Sequence, residues 1–125
     1  MQDGSEVVYH AGFPNPAETS DVMGLSLDTL IVQHQASTYF WRLTPEAAES
    51  VGVTAGTIAV VDRALLPRNN DTVVAIIDES FVIRQFHRDR QTEFLSLPSG
   101  EKETAEQTSV WGVVTYLVQP MRKQR

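Results

Sequence analysis

Between residues 38 and 118 the chain carries six short runs rich in β-branched and aromatic residues, at 39–43, 57–62, 71–77, 81–87, 93–97 and 110–118. Such side chains suit a pleated, half-buried surface, so each run is expected to form a strand. Turn formers separate them: Gly52, Gly56, Pro67-Arg68-Asn69-Asn70, Asp78-Glu79-Ser80 and Pro98-Ser99-Gly100. Residues 78–80 leave so little chain between two strands that a tight hairpin is predicted there. Ile58-Ala59-Val60-Val61 and 73–77 are apolar without alternation, the pattern of a strand covered on both faces. Helix is expected only in short pieces, at 45–50 with Pro45 in its first turn, and as a single turn followed by loop within 25–32, capped by Ser26. Many short strands with little helix imply an all-β fold, a mixed β sandwich or partly closed barrel.

The first sixteen residues contain Gly4, Gly12, Pro14 and Pro16 and keep no apolar period, so they read as an extended arm; Val7, Val8 and Tyr9 are apolar enough to pair briefly with a sheet edge. The expected organisation is an N-terminal arm over 1–24 and one domain over 25–125, a length that supports a single core. The stretch 100–108 is rich in Glu, Thr and Gln but short, and reads as a hairpin loop.

Composition removes several functions. The chain has no cysteine, which excludes disulfides, thiol nucleophiles and Cys-based metal sites and fits a reducing compartment. A formal net charge of −6 disfavours a surface built to grip phosphates, so a link to DNA is expected to run through a protein partner rather than direct nucleic-acid contact. Positive charge gathers at Arg84, Arg88 and Arg90, and at Arg122, Lys123 and Arg125, which read as a solvated tail. No apolar run approaches the roughly 18–20 residues that cross a bilayer, and the first residues lack signal-peptide character, so a soluble cytoplasmic protein is expected.

His10, His34 and His87 are far apart and form no short-spaced ligand pair, so no metal site or cofactor is expected. Trp41 and Trp111 fall in strand-like runs and read as core or subunit-contact residues, while Asp28 and Asp62 read as cap and turn residues.

The order and spacing of several motifs carry further information. Gly12-Phe13-Pro14-Asn15-Pro16-Ala17 is followed without a gap by 27–31, Gln33-His34 and Thr38-Tyr39-Phe40. Val53-Thr54-Ala55-Gly56-Thr57 then leads into Val60-Val61-Asp62, and Asp71-Thr72-Val73-Val74-Ala75, Phe81-Val82-Ile83-Arg84, Trp111-Gly112-Val113-Val114 and Met121-Arg122 complete the series. From about Ala11 to Arg122 this resembles the UmuD/LexA proteins, the self-cleaving Ser-Lys peptidases of the bacterial DNA-damage response. The absence of room for an N-terminal DNA-binding domain favours UmuD, the polymerase accessory protein, over the repressor.

The resemblance implies a LexA/signal-peptidase-like fold, a scissile bond at Ala11-Gly12, a nucleophilic serine after the first strand and a lysine base in a later hairpin. In register, the serine position reads Ala47, within Pro45-Glu46-Ala47-Ala48, and the lysine position reads Arg84. Such a dyad needs a hydroxyl and an amine that can be neutral near pH 7. Alanine has no hydroxyl, and arginine, with a pKa above about 12, is no base. Ser50, Thr44 and Ser80 lack a usable base and read as surface residues, and Arg84 is expected to pair with a carboxylate such as Glu46. The resemblance thus implies a catalytically inactive homodimer acting on a Y-family translesion polymerase, with an active UmuD-like relative or a recombinase filament as further partners. The alternatives are cleavage in trans at Ala11-Gly12 by an active paralogue, self-cleavage through another residue, and an unrelated β-barrel binding module.

Overall fold

The computed structural model describes residues 27–122, and the chain divides into two compact units, 1–33 and 34–125. In the first unit the described structure is one short helix, α1 (Leu27–Ile31), where the sequence predicts a single turn; Ser26, its expected cap, lies outside the described residues. The second unit opens with a 3-10 turn over Gln35–Ser37 and continues as β1 (Thr38–Arg42), α2 (Pro45–Ser50), β2 (Ile58–Asp62), β3 (Thr72–Ile77), β4 (Ser80–Asp89), β5 (Thr92–Ser96) and β6 (Thr108–Val118). All six expected strands are present, and the 45–50 helix has the expected limits.

The strands form one antiparallel sheet in the order β1-β2-β6-β3-β4-β5. The all-β expectation holds, and the sheet is not a closed barrel, because β1 and β5 remain its edges. It coils strongly all the same. Three strands separate β1 from β4, which in a flat sheet places them about 19 Å apart at about 4.8 Å per spacing, yet the rings of Trp41 on β1 and Phe81 on β4 lie 4.9 Å apart. The cause is visible in β6, whose register slips against β2 between Val60 and Val61 and against β3 between Val74 and Ala75. An extra residue in one strand bends it and increases its twist.

Coiling gives the sheet two apolar clusters. Leu43, Ala48, Ala59, Val61, Val74 and Ile83 form the first, and Val73, Ala75, Ile77, Phe86, Leu95 and Val113 the second. Adjacent residues such as Val73 and Val74 belong to different clusters, as the two-residue period of a strand requires. This explains the unbroken apolar runs: β2 and β3 are interior strands, and Ala59, Val60, Val61, Val73, Val74 and Ala75 are all buried. Gly112 on β6 is required by contact, since a Cβ there would lie 2.6 Å from Val61 Cγ1.

The connections follow local chemistry. Asp78 and Glu79 both have positive φ, 51° and 70°, and Ile77 pairs with Ser80, so the predicted hairpin closes with two left-handed residues whose twist matches the flanking strands. The 97–107 connector is more ordered than a plain loop. It folds back on β5 through Leu97 N–H to Glu101 O (2.7 Å) and Glu103 N–H to Leu95 O (2.8 Å).

Candidate functional site

Chemistry in the second unit is concentrated at α2, at the middle of β4 and at the end of β2. Helix α2 begins because Thr44, in extended conformation, accepts the Ala47 N–H on its Oγ1 at 3.1 Å, with Pro45 next and Glu46 in the first turn. The helix ends at Val51, and Val53 N–H donates to Ala48 O at 2.9 Å. Ala48 is buried in the first cluster and Ala47 packs against it. Ser50 donates its hydroxyl to Ala47 O at 2.7 Å, so it is engaged in finishing the helix. Thr44 is the cap, and Ser80 is the exposed first residue of β4.

Arg84 sits in the middle of β4, paired with Val73 of β3. Ile83 belongs to the first cluster, whereas Val82 and Phe86 pack in the second, so alternation along β4 assigns Arg84 the face of the second cluster. Its Nε donates to Glu103 Oε1 at 2.6 Å and its Nη1 to Ile83 O at 2.8 Å. The two charged side chains are only 17% and 12% exposed. Glu103 is further fixed by the Ala105 N–H on Oε2 at 3.1 Å. The hydrogen bond from Arg84, followed by that from Ala105, holds the Glu103 carboxyl below the usual carboxylate range.

Arg84 therefore meets a carboxylate as expected, but the partner is Glu103, not Glu46. Glu46 is committed to the first turn of α2, while the back-folded connector carries Glu103 to the face that Arg84 occupies. The sequence contains no periodic signal for this choice, since Glu101, Glu103 and Glu106 all lie in one polar stretch.

At the end of β2, Asp62 is 4% exposed and collects three donors. His34 Nδ1 lies 2.5 Å from Oδ2, while the Ser37 hydroxyl and the Ala64 N–H reach Oδ1 at 2.7 and 2.9 Å. Burial pushes this carboxyl up more than any single bond pulls it down. The bonds from His34, Ala64 and Ser37 together nevertheless leave it below its ordinary value. Asp62 is thus the expected turn residue, through Ala64, and also anchors His34. The cluster lacks nucleophile geometry, because the Ser37 hydroxyl faces Asp62 and the His34 carbonyl rather than the imidazole. His87 Nε2 lies 2.8 Å from Ser96 Oγ, and its ring stacks on Phe94 at 4.9 Å.

Trp41, Trp111, Tyr39 and Phe81 form one aromatic group with ring centroids 4.9–5.6 Å apart, where Tyr39 and Phe81 remain 43% and 50% exposed. Arg63 lies over Trp111 at 4.4 Å and donates Nε–H to its carbonyl at 3.0 Å. Among the described residues no group of three or more His, Asp or Glu is arranged to hold a metal ion, and no helix is long and apolar enough to cross a membrane. Ala11, Gly12, His10 and the side chain of Asp28 lie outside the description, as does the tail from Lys123.

Fold and site together define a coiled antiparallel β domain with a short capped helix after its first strand and a part-buried cation in its fourth. A family profile described as Peptidase S24-like matches residues 7–115. Proteins called ImpA from Salmonella typhimurium and Escherichia coli are each 31% identical over 118 residues, spanning 92% of this chain and 81% of theirs. SamA of Salmonella typhimurium is 28% identical over 113 residues, spanning 90% of this chain and 81% of its own. The chain belongs to the Peptidase S24-like family, and within it is UmuD-like.

Proposed function

We propose that this protein is a catalytically inactive UmuD-like accessory protein that regulates a translesion polymerase of the Y family in the response to DNA damage, through protein contacts. The observation that carries the reading is the chemistry at the two family positions. Ala47 contributes a methyl group to a packed helix, and Arg84 contributes a cation in an ion pair with Glu103. Neither a hydroxyl nor a neutral amine stands there, so an attack on a peptide carbonyl has no nucleophile and no base. A family frame kept around such a site is consistent with a role in binding. The half-exposed rings of Tyr39 and Phe81 support a homodimer, because clustered aromatic surface next to a rigid sheet is the composition of subunit contacts.

In this reading residues 1–24 are an arm and 25–125 the partner-binding domain. Sedimentation is expected to give a dimer at micromolar concentration, and affinity capture with purified Y-family polymerase a stable complex. A monomer that captures no polymerase would refute the assignment. The family match begins at residue 7, ahead of Ala11-Gly12, which favours a second reading. An active Ser-Lys paralogue would cut that bond in trans, and mixing the two proteins and sequencing for a product starting at Gly12 tests it.

A further inference from the structure

The surroundings of Arg84 bear on more than the loss of one lysine. On the face it occupies, register and alternation also place the apolar side chains of Val82 and Phe86 on β4, Val73 and Ala75 on β3, Leu95 on β5 and Val113 on β6. Glu103, brought in by the connector, is the charged group placed in contact with it. Two effects on a cation therefore oppose one another. The apolar neighbours disfavour charge by desolvation, and a carboxylate at hydrogen-bond distance favours it.

We propose that Glu103 is a second, separate block to Ser-Lys chemistry: it holds whatever basic group stands at position 84 in its charged form, so restoring the hydroxyl and the amine would not by itself restore a base. The inference rests on the reading of Ala47 and Arg84 as the family's serine and lysine positions. Its logic is local. A lysine at 84 would reach toward the same carboxylate that now binds the guanidinium, and an opposite charge at that distance favours the charged amine. Removing the carboxylate leaves an amine among Val, Phe, Leu and Ala side chains, where its neutral form is favoured. Glu103 has two further ties that hold it in place without Arg84, its own N–H to Leu95 O and the Ala105 N–H to its Oε2. The carboxylate is thus part of the connector's fold and does not depend on the arginine to stay there.

The test measures the amine directly. In Arg84→Lys, with an isotope label at the lysine ε-carbon, the amine is expected to titrate at or above about 10.4, the ordinary lysine value. Adding Glu103→Gln, which keeps an oxygen for Ala105, is expected to lower it by at least about one unit, a tenfold gain in neutral amine. An amine already depressed in the single variant, or unmoved by Glu103→Gln, would overturn the proposal. If the variants unfold, titration of the Glu103 carboxyl in the unaltered protein decides: a value below that of an ordinary glutamate supports the pair, and an ordinary or raised value refutes it. Cleavage of Ala47→Ser/Arg84→Lys, with and without Glu103→Gln, separates this inference from the reading beneath it. Cleavage that needs Glu103→Gln supports both. Cleavage equally fast with Glu103 present overturns the block alone. A depressed amine in a chain that still fails to cleave supports the block and counts against the dyad positions.

Discussion

Replacing Glu103 by glutamine should destabilise the domain by more than a surface charge change does, and the structure sets the scale. Exposed ion pairs contribute about 0–1 kcal/mol, whereas removing one partner of a fully buried pair costs about 3–5 kcal/mol. With side chains 17% and 12% exposed and a 2.6 Å contact, the Arg84–Glu103 pair lies between these limits. The expected loss is about 2 kcal/mol, because Glu103→Gln removes the charge that offsets the guanidinium and leaves one amide oxygen where Arg84 and Ala105 now have two. Urea unfolding followed by the fluorescence of Trp41 and Trp111 should then show a midpoint lower by about 1 M, taking a slope of about 2 kcal/mol per M. The double change Arg84→Met with Glu103→Leu removes both charges and should recover most of the loss, since apolar substitution of a buried pair is often neutral. The pH dependence has a definite sign. The folded carboxyl lies below its ordinary value of 4.5, so its contribution is fully present above that pH and is lost as pH falls through the folded value. Glu103→Gln should remove this part of the acid sensitivity. A variant within about 0.5 kcal/mol of the parent, the usual range for surface changes, with no coupling in the double-mutant cycle, would refute the reasoning.

Gly112→Ala should cost about 1–3 kcal/mol, since its Cβ would meet Val61 Cγ1 at 2.6 Å in an interior strand; combining it with Val61→Ala should relieve the clash, and strictly additive losses would show that no clash existed. Asp62→Asn should lower stability near neutral pH by about 1–3 kcal/mol through weakened bonds to His34, Ser37 and Ala64. Because the folded Asp62 carboxyl lies below its ordinary value of 3.8, the parent loses this contribution only as pH falls through the lower value, and the variant's unfolding midpoint should be less sensitive to acid there. Unchanged acid sensitivity in Asp62→Asn would remove Asp62 from the account.

The strands were legible because their signal is local. Runs such as 72–77 and 108–118 combine β-branched residues with flanking turn formers, and the burial of β2 and β3 on both faces follows from their missing alternation. The coiling was not legible, because it depends on register slips in β6 that arise from pairing with two neighbours at once. The same distinction governs the site. Ala47 and Arg84 are proposed as site positions from their spacing within the family resemblance, but the choice of Glu103 over Glu46 needs the connector's return to β5, a contact 19 residues away in sequence. The pairing of His34 with Asp62, 28 residues apart, is invisible in the sequence for the same reason, since nothing there links a lone histidine to a turn aspartate.

On the proposed function, this chain carries a Ser-Lys frame without the capacity to cut itself. Prolonged incubation of the purified protein at alkaline pH, and separately with an activated recombinase filament, followed by intact-mass measurement, tests it directly. The expected result is an unchanged mass under both conditions. A product beginning at Gly12, formed in the absence of any other peptidase, would contradict it.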